Sequence, residues 1–273
     1  MATIALALGA GGARGLAHVH VLRALDDLGV KPVAVAGTSI GAVMGAAYCA
    51  GMTGREIEEY ILARLDDRAR LIAEVFKIRP ASLKGFFNDG GFRLGELNLE
   101  TIFATFLPDA IPATFDDLSI PLHIVATDYD AGADKVFNTG DLRRPIAASA
   151  AMPAVFLPVD IAGRHYIDGS STNPCPINVV APMADHVLAI DVSGGSIGAS
   201  GVRPRKMDVM YASNQIMQKT IAGLMAAACP ATLLIRPRVD TFRALDFLSA
   251  AKIIAETTPL RDEVKRKIAP LLA

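Results

Sequence analysis

Two glycine-rich stretches constrain this chain more than anything else in it: Gly9-Ala10-Gly11-Gly12-Ala13-Arg14-Gly15 and Gly37-Thr38-Ser39-Ile40-Gly41. Each lies between an apolar run and a segment of helical spacing, so each reads as a turn from strand into helix. The second has the form Gly-x-Ser-x-Gly, which sets a serine at the tip of a sharp turn. Such a turn crowds the positions two before and two after the serine, and here both are glycine. The first N–H groups of the following helix would favour negative charge beside Ser39.

The first stretch supplies what a lone serine lacks. Attack on an ester carbonyl creates an oxyanion, which needs donors fixed in advance. A turn without bulky side chains can present several backbone N–H groups. Gly11, Gly12 and Ala13 are the candidates, and Arg14 adds positive charge. If Val33–Ala36 pairs beside Thr3–Leu8, both turns open at the same edge of one parallel sheet.

The rest of the chain alternates strands and helices. Further strands are expected at Leu122–Thr127, Lys135–Asn138, Val155–Ile161, His165–Ile167, His186–Val192 and Thr232–Ile235. Helices are expected at Leu16–Leu28, Ile40–Ala50, Thr53–Phe76, Leu97–Leu107, Asp141–Met152 and Met207–Ala228. Between 79 and 95, glycines surround Phe86, Phe87 and Phe92, a plug or a lid over an apolar site. Ser193–Gly201 reads as a mobile loop. The pattern predicts one three-layer α/β/α domain over 1–273 with a mostly parallel central sheet, its motifs within about 3–192 and residues 193–273 completing it.

The formal net charge is −1, which gives nucleic acid no electrostatic footprint. Cys49, Cys175 and Cys229 are too few and too scattered for a disulfide frame, so a cytoplasmic location is expected. The N-terminus lacks a basic region and its apolar run stops at the glycine turn, so it does not read as a signal peptide. No window reaches the ~18 apolar residues of a spanning helix, which leaves contact with a membrane surface open. A dinucleotide site would want glycine where Arg14 stands and an acid ending the second strand, and neither is present. The Lys-Ser/Thr of a P-loop is also absent.

A serine hydroxyl needs a base. His18 and His20, two apart on a helix, face different sides, so at most one points at Ser39. His123, His165 and His186 fall in strands, and none makes a convincing partner. Asp168 ends an apolar strand and is followed by Gly169, which leaves its carboxylate uncrowded. An Asp-Gly turn would look the same. A carboxylate near its ordinary pKa of ~3.9 is a poor base for an alcohol, so burial would have to raise it.

Taken together, these residues resemble the patatin-like phospholipase family. The resemblance rests on Gly9-x-Gly11-Gly12-x-Arg14-Gly15, Gly37-Thr38-Ser39-Ile40-Gly41 and Asp168-Gly169. It also includes Ala147-Ala148-Ser149-Ala150-Ala151-Met152-Pro153, Phe156, Pro158, Asn173 and Pro176. It implies Ser39 as nucleophile, Asp168 as its partner in a Ser-Asp dyad, and an oxyanion hole from Gly11, Gly12 and Ala13. Gly9, Arg14, Gly15, Gly37, Gly41 and Gly169 would support them. It further implies hydrolysis of lipid esters without metal or cofactor, often at a membrane surface. Ala10 departs from a frequent glycine, and Ser170 from a small apolar residue or glycine. An acyltransferase using the same acyl-enzyme, and a non-catalytic lipid-binding or regulatory module of the same fold, share these motifs.

Overall fold

The computed structural model describes residues 2–66, 107–153, 155–194, 203 and 206–272. The described strands are β1 (Ile4–Leu8), β2 (Val35–Thr38), β3 (Leu122–Asp128), β4 (Ala133–Phe137), β5 (Val159–Ile161), β6 (Arg164–Asp168), β7 (His186–Ile190) and β8 (Thr232–Ile235). The described α-helices are α1 (His18–Leu28), α2 (Ile40–Cys49), α3 (Gly54–Asp66), α4 (Arg143–Ser149), α5 (Ile177–Val180), α6 (Lys206–Ala228), α7 (Ala250–Thr257) and α8 (Pro259–Leu272). All eight strands join one sheet in the order β5-β6-β3-β2-β1-β7-β8, with β4 added beside β3. The pairs from β3 through β2, β1 and β7 to β8 are parallel; β4, β5 and β6 run antiparallel to their neighbours.

The sequence of β1 shows how the layers form. Side chains alternate across a strand, and Ile-Ala-Leu-Ala-Leu alternates large with small. Ile4, Leu6 and Leu8 face a large core shared with Leu22 and Leu25 of α1, Met44 of α2, and Val264 and Ile268 of α8. Ala5 and Ala7 face a thinner core with Ile177 and Val180 of α5 and Ala222 of α6. Small residues on that side let the second helical layer sit close. The result is the expected three-layer α/β/α fold on a mostly parallel sheet.

Several boundaries differ from those the sequence suggests. The second strand runs from Val35 to Thr38, two residues later than expected, because Gly37 and Thr38 pair with Ile124 and Val125 of β3. The helix expected from Leu16 is a 3-10 turn over Gly12–Ala17 that continues as α1. Val155–Ile161 narrows to Val159–Ile161, all that pairs with β6. The phenylalanines at 86, 87 and 92, all but the last residue of the helix expected at 97–107, the end of the helix expected at 53–76 and most of 193–201 lie outside the described residues. Among the described residues, no helix is long and apolar enough to cross a membrane.

Strand β3 is the organising element of the site. Its edge against β2 is used from Leu122 to Val125, where Thr38 is the last partner. Its partner from Ala126 to Asp128 is β6, with Asp168 opposite Ala126. The pairing with β4 spans Ile124 to Asp128 and overlaps both, so β4 occupies the opposite edge. Strands β2 and β6 therefore meet end to end along the same edge of β3. One delivers Ser39 and the other Asp168 to the point where they meet.

Candidate active site

Ser39 has φ 57° and ψ −123°, a conformation that side-chain-bearing residues rarely adopt. Strain of this kind persists only where the surroundings impose it. Here the glycines impose it. A Cβ on Gly37 would lie 2.5 Å from Gly41 O, and one on Gly41 would lie 2.1 Å from Leu8 O. The elbow is thus pressed against the end of β1, with no room for alanine at either position.

A side chain holds the strained residue as well. The Ser39 N–H donates to Ser149 Oγ at 2.8 Å, and Ser149 Oγ donates to Val125 O at 2.6 Å. Ser149 is the last residue of α4 and is fully buried. Val125 is thus the meeting point for the partners of the site: Thr38 pairs with it, and Ser149 binds its carbonyl. A Cβ on Gly169 would lie 2.2 Å from its oxygen, so the residue after Asp168 must be glycine for β6 to end here.

The Ser39 Oγ–H donates to Asp168 Oδ2 at 2.7 Å. The other carboxylate oxygen, Oδ1, accepts the Ser170 N–H at 2.8 Å. Asp168 is 2% exposed and Ser39 5%. Burial pushes the Asp168 carboxyl above the ordinary carboxylate range, against the hydrogen bonds from Ser39 and Ser170, which pull it down. Its backbone is fixed by Asp168 N–H to Ala151 O at 2.9 Å and by Thr127 Oγ1 to Asp168 O at 3.0 Å.

The glycine turn lies beside this pair. Gly9 N–H donates to Ile190 O, and Ala10 N–H to Pro174 O. Gly12 takes φ +59°, open to glycine, whereas Ala10 is not among the positive-φ residues and so fits where glycine is frequent. The Ala13 N–H donates to Ala244 O at 2.7 Å. That bond removes Ala13 from the three amides expected to face an oxyanion. Gly11 N–H and Gly12 N–H have no acceptor among the described residues. Arg14 is 1% exposed, and its Nε donates to Gly11 O at 3.2 Å. Burial lowers the guanidinium to about 10, with Asp240, Asp191 and Asp246 pulling it back up, so it remains charged at neutral pH.

No histidine reaches Ser39, as the sequence suggests, although His18 touches the glycine turn. His18 Nε2 meets Gly9 O at 2.9 Å, and His20 Nε2 meets Ile254 O at 2.7 Å. His165 is exposed and sits against Asp130. Ser39 is hydrogen-bonded to Asp168 and Ser149, and to no histidine.

Three participants carry no obvious mark in the sequence. Ser149 looks like one more small residue in an alanine-rich run. Its block, Ala147–Pro153, enters the family resemblance, but nothing in that block singles the serine out. Ala244 reaches the glycine turn from the far end of the chain through its carbonyl, which any residue has. Asp191, 3% exposed, accepts from Ser193 N at 3.0 Å and from Arg236 Nε at 2.7 Å just beyond β7. Its charged partner, Arg236, is 45 residues away.

Residues 6–181 match the model of the patatin-like phospholipase family. The chain belongs to that family. An uncharacterized NTE family protein of Mycobacterium tuberculosis is 34% identical over 196 residues, 71% of this chain and 50% of that protein. Human patatin-like phospholipase domain-containing protein 6 is 34% identical over 194 residues, 70% of this chain and 13% of that one. Among solved structures, VipD from Legionella pneumophila aligns with a TM-score of 0.43 and 12% identity, covering 96% of this chain and 67% of that one. The chain thus spans about half the length of the mycobacterial relative and far less of the human one. The matched span of this patatin-like protein holds both glycine turns, Ser39, Ser149 and Asp168. Asp191, Arg236 and Ala244 lie outside it.

Proposed function

We propose that this patatin-like protein is a serine acyl-ester hydrolase acting on lipid esters, phospholipase or lysophospholipase in type, through a Ser39-Asp168 dyad. The observation that carries the proposal is the 2.7 Å hydrogen bond from Ser39 Oγ to Asp168 Oδ2, buried and at the tip of a strained elbow. Asp168, made more basic by burial, takes the hydroxyl proton as Ser39 attacks the ester carbonyl. The alcohol leaves with that proton. Water, activated by Asp168, then releases the fatty acid.

The oxyanion formed at each stage falls to Gly11 N–H and Gly12 N–H. Arg14 orients the second of these. By holding Gly11 O it fixes the peptide plane, and in a trans peptide the Gly12 N–H points the opposite way. Each such donor is worth about 10²–10³ in rate. We take residues 1–273 as one acyl hydrolase domain. The outer side of α6, where Met210, Met217 and Leu224 are exposed, is the surface we assign to membrane contact.

The test is labelling with a fluorophosphonate, read by intact mass and peptide mapping, on wild type, Ser39→Ala and Asp168→Asn. Wild type should take one adduct, on Ser39. The first variant should take none, and the second should react about 10²–10⁴-fold more slowly, the range for losing a general base. A folded wild type that stays unlabelled with detergent and liposomes present would overturn the hydrolase and favour a binding module. With an added alcohol or thiol acceptor, transfer outpacing fatty-acid release would make it an acyltransferase.

A further inference from the structure

His18 is the first residue of α1, is fully buried, and touches the glycine turn. A carbonyl can only accept, so the 2.9 Å contact with Gly9 O makes Nε2 the protonated nitrogen and leaves Nδ1 a buried lone pair without a partner. Burial holds the ring neutral down to about 4, with the bond to Gly9 and the charge of Asp191 pulling the other way. Among the described residues, Gly9 O has no other donor. The same carbonyl lies 3.0 Å from where a Cβ on Gly41 would stand, so it faces the start of α2. The Gly9–Ala10 peptide is held at both ends: its oxygen by His18 and its N–H by Pro174 O at 2.8 Å.

We propose that His18 is a positioning residue for the reaction, its Nε2–H locking the Gly9 carbonyl so that the amides of Gly11 and Gly12 stay in register with Ser39. This rests on the hydrolase proposal. The imidazole reaches the turn from the first turn of α1 and holds the carbonyl of the turn that faces the start of α2. His20 supplies an internal comparison. It has the same tautomer and a similar burial, but its donor lands on Ile254 O in α7.

The experiment compares His18→Gln, His18→Asn, His18→Leu and His20→Leu on p-nitrophenyl butyrate and the fluorophosphonate. Glutamine places an N–H near Nε2; asparagine places it near Nδ1, and leucine has none. His18→Gln should keep the wild-type kcat. His18→Asn and His18→Leu should lower kcat roughly 10- to 100-fold, less than outright loss of an oxyanion donor, with KM and the pH profile unchanged. His20→Leu should lower Tm and leave kcat alone. Equal losses in His18→Gln and His18→Asn, or full kcat in His18→Asn and His18→Leu, would overturn the inference. So would an equal loss of kcat in His20→Leu. If wild type is not labelled, the hydrolase proposal fails; if wild type and every His18 variant label alike, this inference alone fails.

Discussion

Gly41→Ala is the sharpest test of the packing that holds Ser39 in place. A Cβ at 41 would lie 2.1 Å from Leu8 O, and Cβ atoms essentially never come within 3.0 Å of such a neighbour. The chain must therefore open by roughly 0.9 Å. Leu8 cannot yield, because it is buried and paired with Gly37 on one side and Ile190 on the other. The displacement falls on the elbow and moves Ser39 away from the glycine turn. A misplacement of about 1 Å can cost about 10²-fold in rate, and overpacking costs about 1–3 kcal/mol of stability. Gly45→Ala, one turn along the same helix, is the control. Its Cβ would meet only side-chain ends, at 3.2 Å from Leu122 and Val35. Alanine also gains about 1 kcal/mol of helix propensity over glycine, so stability and activity should stay near wild type. Ester hydrolysis and thermal melts of the two variants decide the matter. Gly41→Ala with activity within about threefold of wild type, against the hundredfold expected, would refute the packing argument. So would a loss in Gly45→Ala as large as in Gly41→Ala.

Other expectations follow from the same contacts. Asp168→Asn should be more stable than wild type while losing activity. Burial raises the native carboxyl above its unfolded value, so its cost to folding is absent below the ordinary carboxylate range and complete above the raised pKa. Each kcal/mol recovered at neutral pH should raise Tm by about 2–4 °C, and a lower Tm than wild type would contradict the sign. The proposed dyad runs the other way: activity should fall as acid protonates Asp168, measured as kcat against pH. Ser149→Ala leaves the buried Ser39 N–H unpaired, at about 1–3 kcal/mol in a urea melt; an unchanged melt would discard Ser149 as a support of the elbow. Arg261 donates to both oxygens of Asp27, at 2.6 and 2.7 Å, and Lys265 pairs with the same carboxylate, joining α8 to α1. These bonds hold the Asp27 carboxyl well below the usual range, so their contribution is present above that range and is lost as pH falls through the native value. The protection of α8 amides relative to their intrinsic exchange rate should fall in acid, and acid-insensitive protection would exclude this role. Replacing Met210, Met217 and Leu224 with serine should weaken co-sedimentation with liposomes, and unchanged partitioning would retire α6 as the contact surface.

What the sequence makes legible is what backbone geometry forbids. Gly37, Gly41 and Gly169 stand where a Cβ would strike a carbonyl, so the need for glycine is written at those positions and marks Ser39 and Asp168 between them. The layers of β1 are legible from the alternation of Ile and Leu with Ala. The end of β2 is not, because Gly37 and Thr38 read as turn residues until β3 pairs with them. Ala13 illustrates another limit. Its amide looks equivalent to those of Gly11 and Gly12 until the Ala244 carbonyl arrives from beyond the motifs. Long-range partners of this kind use backbone atoms, which leave no signature in side-chain chemistry.

The way β2 and β6 share one edge of β3 gives the site a built-in gauge. Ser39 and Asp168 are 129 residues apart in sequence, yet their strands end against neighbouring residues of β3, Val125 and Ala126. Lengthening the segment between β2 and β3, or the turn between β3 and β4, therefore leaves the spacing of the two side chains unaltered. A slip of β6 by a single residue does not. It would carry Asp168 about 3.3 Å along the ladder and turn its carboxylate to the other face of the sheet. Insertions in those connections should be tolerated, whereas a deletion inside β6 should abolish reactivity outright, even in a protein that still folds.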